Sequence, residues 1–297
     1  MRPDVGSSHS SSPTPHSPDA AIPYKFDPKR IYSALVFIPL FYILTRHLPP
    51  IFFFLLITAV SFLALWEFYA LTFQEEHHRE FVVVGLICGG LLLTSLQWPD
   101  IFRLHTALLL ILGVLVVYQV GRAPFTPQSF SHIPILFFGV AYISLTLGHF
   151  LLIRKLSEGP FLIFFVLLVT WGGDAAAYYV GKTFGVRPLA PILSPKKTIE
   201  GLIGGIIAAL LIAWCSSIWF VPIFTFSDCI ILGIGLTVLG LIGDLSESAF
   251  KRQAGAKDSG SLIPGHGGFL DRIDSLLLTV PTFYYYMVVI KGTQTIS

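Results

Sequence analysis

The sequence predicts an all-α fold, a polytopic integral membrane bundle of about nine transmembrane helices. Two observations carry this. Hydrophobic residues make up 54% of the 297-residue chain and charged residues only 12%, whereas a soluble domain is about one quarter charged; the mean hydropathy is +0.75. The apolar residues also fall into repeated runs of roughly 15 to 25, each able or nearly able to cross a hydrocarbon core of ~30 Å as a helix.

In chain order, residues 1–24 are rich in Ser, Pro and His and too poor in apolar side chains to offset the entropy of ordering, so a disordered tail is expected. This stretch lacks the basic start, short apolar run and small-residue cleavage site of a signal peptide, so the first apolar run, near Ile31, reads as a retained span. Spans are predicted at about 31–45, 50–72, 80–97, 101–120, 134–153, 160–180, 201–224, 228–244 and 272–291. Pro39 interrupts the first of them, which a membrane helix tolerates. Residues 25–155 then form an N-terminal set of transmembrane helices. Residues 156–297 are expected to form a C-terminal transmembrane region with polar loops at 181–200 and 245–271.

Orientation follows from Lys and Arg, which are retained in the cytoplasm when they lie in short loops. With the N-terminus inside, fourteen of the 19 Lys and Arg fall on the cytoplasmic side, and five (Arg46, Arg103, Arg154, Lys155 and Lys291) fall on the other. Both polar loops of the C-terminal region then face the cytoplasm and can build one site. A net charge of +2 excludes the broad basic surface of a nucleic-acid binder. Cys88, Cys215 and Cys229 lie in or beside apolar runs without metal-type spacing and read as small buried hydrophobes. The acidic loop from Gln74 to Glu80, with His77 and His78, reads as a solvated loop. A transporter would put charge near the midplane in paired, discontinuous halves. Here no internal repeat is visible and charge gathers at one face.

That charge concentrates in Gly243 to Asp274, GDLSESAFKRQAGAKDSGSLIPGHGGFLDRID. Asp271 and Asp274, three apart at the start of the last predicted span, would share a helix face and could hold one ion. Asp244 is followed by Glu247 and Ser248 on its own face. Clustered carboxylates repel unless a cation compensates, and hard oxygen donors favour Mg²⁺ or a similar ion. The alternative is that Asp271 caps the last helix while Asp274 pairs with Arg272 or a lysine. Gly265, Gly267 and Gly268 around His266 would let backbone N–H groups approach an anion, although a plain tight turn accounts for the same residues.

The other loop, with the residues that flank it, reads GKTFGVRPLAPILSPKKTIEG from Gly181 to Gly201. Ser194 and Pro195 look like an N-cap and first helical residue. Lys196 and Lys197 would then occupy the positive end of a helix, which suits them if an anion sits there. A positive-inside anchor is the alternative. Asp174 lies within a span among Gly172, Gly173 and Ala175 to Ala177, small residues that permit close helix packing. An ionisable group at that depth is a functional candidate. Glu67, beside Trp66 in the second span, is the weaker counterpart, with a place near the cytoplasmic interface as the alternative. Together these features describe metal-assisted phosphoryl chemistry, without a Walker A or kinase signature.

The same residues resemble the phosphatidate cytidylyltransferases, or CDP-diacylglycerol synthases. Ser248, Phe250, Lys251, Arg252, Lys257, Asp258, Gly260, Ile263, Pro264, His266, Gly267, Gly268, Phe269, Asp271, Arg272, Ile273 and Asp274 look like the family signature. SPKKTIEG from Ser194 and the Asp174 to Gly185 segment are similar to it too, so the likeness covers about the last 130 residues. The resemblance implies that phosphatidic acid attacks CTP and pyrophosphate leaves. It further implies that Asp244, Asp271 and Asp274 hold Mg²⁺, with a second cation as a candidate, and that Lys257 and His266 act beside them. His266 would donate to phosphate rather than serve as a base, because the attacking phosphate is already largely ionised. Ser194, Lys196, Lys197, Lys251, Arg252, Asp174, Gly267, Gly268 and Arg272 would bind substrate. The resemblance also implies a bacterial inner (plasma) membrane, a site facing the cytoplasm and a homodimer as a candidate assembly. Where the family is expected to carry Thr or Ser after the intramembrane aspartate, this chain has Ala175, so no hydroxyl role carries over there. The rival within this chemistry is a CTP-dependent enzyme acting on another lipid, such as a polyprenyl alcohol or an archaeal lipid phosphate.

Overall fold

The computed structural model describes residues 43, 45–73, 78–121, 127–256 and 268–294. The expected tail, most of the first predicted span, and Lys257, His266 and Gly267 lie outside the described residues.

The described chain is a bundle of apolar helices. α1 (Pro50–Thr72), α2 (His78–Gln97) and α3 (Leu104–Val120) are followed by α4 (Pro127–Gly139), which passes through a π-helical turn (Val140–Leu145) into α5 (Thr146–Arg154). Next come α6 (Gly159–Phe184), a hairpin of β1 (Pro188–Ala190) and β2 (Ser194–Thr198), α7 (Ile199–Trp219) and α8 (Phe226–Gln253). A 3₁₀ turn (Leu270–Arg272) leads into α9 (Leu276–Tyr285), which ends in a second π turn (Tyr286–Ile290). Among the described residues six helices are long and apolar enough to cross a membrane, and Leu104–Val120 and Leu276–Ile290 are shorter apolar helices. The chain is an integral, polytopic helical membrane protein, and eight of the predicted spans have a helix at or near their expected place.

Local signals explain the helix ends. Pro50 opens α1, where its missing N–H costs nothing. Thr225 and Asp228 form a reciprocal capping box at the start of α8. At the end of α2 the carbonyls of Leu96 and Gln97 accept from Lys155 Nζ at 2.9 and 2.6 Å, a lysine cap that ties α5 to α2.

Three expectations are corrected. Ser194 and Pro195 do not begin a helix: they lie in β2, which pairs antiparallel with β1. Thr198 is the N-cap instead, its hydroxyl accepting from Gly201 N–H at 3.1 Å; the strand wins because Thr198 lies just where the apolar run begins. The span expected to stop at 244 continues to Gln253, since no Gly or Pro interrupts it and Lys251 and Arg252 suit a helix C-terminus. The last helix starts at Leu276 rather than 272, so Asp271 and Asp274 do not share a helix face.

The packing that positions the site is between α6, α7 and α8, with α9 against α5 and α8. α6 and α7 approach closely: a Cβ on Gly201 would come within 2.7 Å of the Ala177 carbonyl oxygen, so the small-residue stretch after Asp174 is what lets α7 and its hairpin lie against α6.

Candidate active site

A cavity of about 1100 Å³ opens between α6, the hairpin, the start of α7, the C-terminal half of α8 and the turn before α9. Asp174 reaches it from α6, Ser194, Lys196 and Lys197 from the hairpin, Asp244 from α8, and Asp271, Arg272 and Asp274 from the turn. The two polar loops singled out in the sequence therefore meet on one space. Its volume is just above the ~300 to 1,000 Å³ of small-ligand sites, enough for a nucleotide together with a second headgroup.

Lys197 Nζ pairs with Asp244 Oδ2 at 2.5 Å. Lys251 is turned toward two acids at once, 3.2 Å from Glu247 Oε2 and 2.6 Å from Asp271 Oδ1. Glu247 is fully buried and contacts Asp271 as well as the lysine, so the lysine faces a pair of acids rather than two separate carboxylates. Asp271 Oδ2 also accepts from the Gly268 N–H at 3.0 Å, so in this state that backbone donor is used by the chain itself. Arg252, one residue beyond Lys251, is exposed at the end of α8 and does not line the cavity.

The two turn aspartates differ in electrostatics. Burial by itself pushes the Asp271 carboxyl up, but its contacts with Glu247 and Lys251 more than reverse this and hold it at about 2. Asp274 goes the other way: burial, and then the neighbouring Asp244 carboxylate, push it up. Negative charge is thus compensated on the Lys251 side and crowded around Asp274.

The residue that sequence reasoning undervalued is Glu67. It is 3% exposed, and its two carboxylate oxygens accept the backbone N–H groups of Phe269 and Leu270 at 2.8 and 2.7 Å. A carboxylate inside an apolar run was the available signal; its partners, about two hundred residues away, were not visible.

The model of the cytidylyltransferase family matches residues 28–290. The chain belongs to the cytidylyltransferase family. Its relatives include the phosphatidate cytidylyltransferase of Haemophilus influenzae, 34% identical over 282 residues, which covers 87% of this chain and 97% of that one. The phosphatidate cytidylyltransferase of Bacillus subtilis is 34% identical over 267 residues, 86% of this chain and 94% of that one. An uncharacterized Escherichia coli protein, YnbB, is 34% identical over 234 residues. The likeness in this cytidylyltransferase-family chain thus extends through the N-terminal helices, where sequence reading saw only a series of spans.

A divalent cation fits the donor chemistry here. Asp174, Asp244 and Asp274 are hard oxygen donors on one cavity, and a cation among them would offset the burial and the neighbouring Asp244 charge that push the Asp274 pKa up. Among the described residues no three His, Cys, Asp or Glu side chains converge as a ready ligand set; Lys197 and Lys251 take up Asp244 and Asp271 instead.

Proposed function

We propose that this chain is a phosphatidate cytidylyltransferase, transferring CMP from CTP to phosphatidic acid to give CDP-diacylglycerol and pyrophosphate in phospholipid biosynthesis. The observation that carries the reading is the single cavity in which hairpin lysines meet carboxylates from α6, α8 and the turn before α9, in a chain whose relatives from two bacteria bear that name.

In this reading a phosphate oxygen of phosphatidic acid forms a bond to the α-phosphorus of CTP, and the bond from that phosphorus to the bridging oxygen breaks, pyrophosphate carrying the electrons away. A phosphate monoester is largely ionised near neutral pH, with a second pKa near ~6, so the protein need not supply a base. Ser194, Lys196, Lys197 and Arg272 hold the phosphates; Lys251 and Arg252, which lie outside the cavity lining, contribute charge at longer range, and Lys257, His266, Gly267 and Gly268 are further candidates from the family likeness. Bringing two anions together is the main barrier, and these cations lower it by position and charge. Asp244, Asp271 and Asp274, with Asp174 beside them, would hold Mg²⁺, and a second cation is a further candidate. The metal supplies charge neutralisation at the triphosphate. Triphosphate entering the cavity competes for Lys197 and Lys251 and so frees Asp244 and Asp271.

The charge asymmetry, fourteen Lys and Arg against five, supports a site facing the cytoplasm, where CTP is available, and the bacterial relatives support the inner membrane. A homodimer is part of this proposal by family likeness alone.

The test is purified full-length protein in detergent with Mg²⁺, CTP and either phosphatidic acid or a polyprenyl phosphate. Equal amounts of pyrophosphate and CDP-diacylglycerol are expected with phosphatidic acid. Turnover with the polyprenyl phosphate alone would move the assignment to that acceptor, and no product with any lipid phosphate would remove it.

A further inference from the structure

α1 touches the residues beside each member of the Lys251–Asp271 pair. On one side, Glu67 accepts the N–H groups of Phe269 and Leu270 at 2.8 and 2.7 Å. These donors stand at the entry to the 3₁₀ turn that carries Asp271, where a helix has no earlier carbonyls to satisfy its first N–H groups. On the other side, the next residue, Phe68, meets the Phe250 ring edge-on at 5.9 Å. Phe250 is also packed by Phe138 and Tyr142 and directly precedes Lys251.

A carboxylate buried to 3% exposure is costly unless its oxygens are satisfied. Two consecutive N–H donors reward a group with two acceptor oxygens and no donor of its own, which among the side chains is a carboxylate. The geometry is specific as well as stabilising. If the turn shifts, Asp271 leaves Lys251 Nζ, now 2.6 Å away, and its own acceptance from Gly268 N–H at 3.0 Å.

We propose that Glu67 is a positioning residue for the cytidylyl transfer proposed above, fixing the Asp271 turn from the N-terminal half of the chain without touching substrate. This rests on that reaction, but the clamp itself is readable without it.

The test is Glu67→Gln in the full chain, purified in detergent. Glutamine keeps one acceptor and turns an NH₂ group toward the remaining N–H. Amide hydrogen exchange at Phe269 and Leu270 should quicken at least tenfold while amides in Ile199–Trp219 keep their wild-type rates. For cytidylyl transfer, kcat should fall at least tenfold with KM for CTP within twofold, because the hairpin lysines are untouched. Unchanged exchange at Phe269 and Leu270 overturns the proposal, and so does faster exchange there with kcat within twofold of wild type. If Glu67→Gln loses protection throughout the chain, Glu67→Asp decides: it keeps both acceptors on a shorter arm, and the same local pattern at smaller amplitude is expected. Global loss in both variants reduces Glu67 to a general structural role and ends the proposal. An inactive wild type would instead sink the reaction, and with it the catalytic half of the proposal, while the exchange measurement still decides the clamp.

Discussion

Lys197 Nζ and Asp244 Oδ2 lie 2.5 Å apart, joining the hairpin to the last turns of α8 across the cavity. Both side chains remain partly exposed, at 22% and 38%, so the pair adds little to stability, ~0 to 1 kcal/mol. In the proposed reaction each partner has a second role, the lysine toward phosphate and the carboxylate toward a cation. Lys197→Ala is therefore expected to lower kcat/KM for CTP about 10- to 100-fold, the loss of a charge-assisted contact of ~1.5 to 3 kcal/mol, with the thermal midpoint almost unchanged. Asp244→Asn should abolish turnover. A Lys197→Ala protein with wild-type kcat/KM would remove the hairpin from the site.

Lys251 has the opposite balance. It compensates Glu247, which is fully buried, and Asp271 together. Lys251→Met leaves this pair of acids without its cation, a change worth roughly 3 to 5 kcal/mol. A clear drop in thermal midpoint is expected, and Asp271→Asn in the same chain should recover much of it by removing the stranded charge. Activity should stay low in both, since Asp271 loses its partner in one and its charge in the other. If the double variant is no more stable than Lys251→Met alone, Asp271 is not the charge the lysine compensates.

The sequence made the bundle legible because membrane spans are written locally: about twenty apolar residues must form a helix wherever they occur. It also marked Asp174, the hairpin lysines and the carboxylates from Asp244 to Asp274 as charges gathered at one face of an otherwise apolar chain. It did not show that Ser194 lies in a strand, because Ser–Pro opens helices and extended segments alike; the cap is Thr198 instead. The one-face reading of Asp271 and Asp274 failed for a related reason: a spacing of three means one face only inside a helix, and here a 3₁₀ turn ends between them. Glu67 was hidden because its partners are backbone N–H groups, which leave no mark in the sequence.

Asp274 is expected to make the metal-free protein sensitive to pH. Burial and then the Asp244 carboxylate raise its pKa in the folded state, so folding favours its protonated form. The stability it contributes is present below the ordinary carboxylate value, near ~3.9, and is lost as pH rises through the raised one. Asp271, held at about 2, contributes stability that disappears only as pH falls below the ordinary carboxylate value toward about 2, outside this window. In chelator, the thermal midpoint is expected to rise as pH is lowered from neutral to weakly acid, and Asp274→Asn should flatten that slope. Mg²⁺ should raise the midpoint of the wild type at neutral pH more than that of Asp274→Asn. An identical slope in the variant would show that Asp274 does not carry the effect.

Gly243 tests whether the spacing between Asp244 and Asp274 matters as well as their charge. In an ordinary helix interior, replacing glycine by alanine stabilises by ~1 kcal/mol. At Gly243 a Cβ would overlap the backbone carbonyl of Asp274, which cannot rotate aside as a side chain can, so Gly243→Ala must push the turn away from α8. Overpacking of this kind costs ~1 to 3 kcal/mol, reversing the usual sign, and kcat should fall at least tenfold as Asp274 moves off Asp244. At Gly235, on the same helix, a Cβ would meet nothing within 4 Å, so Gly235→Ala should be neutral or stabilising with activity intact. Thermal unfolding and turnover of the two variants side by side separate the effects: if they behave alike, the close approach of α8 to the Asp274 turn does not set the geometry of the site.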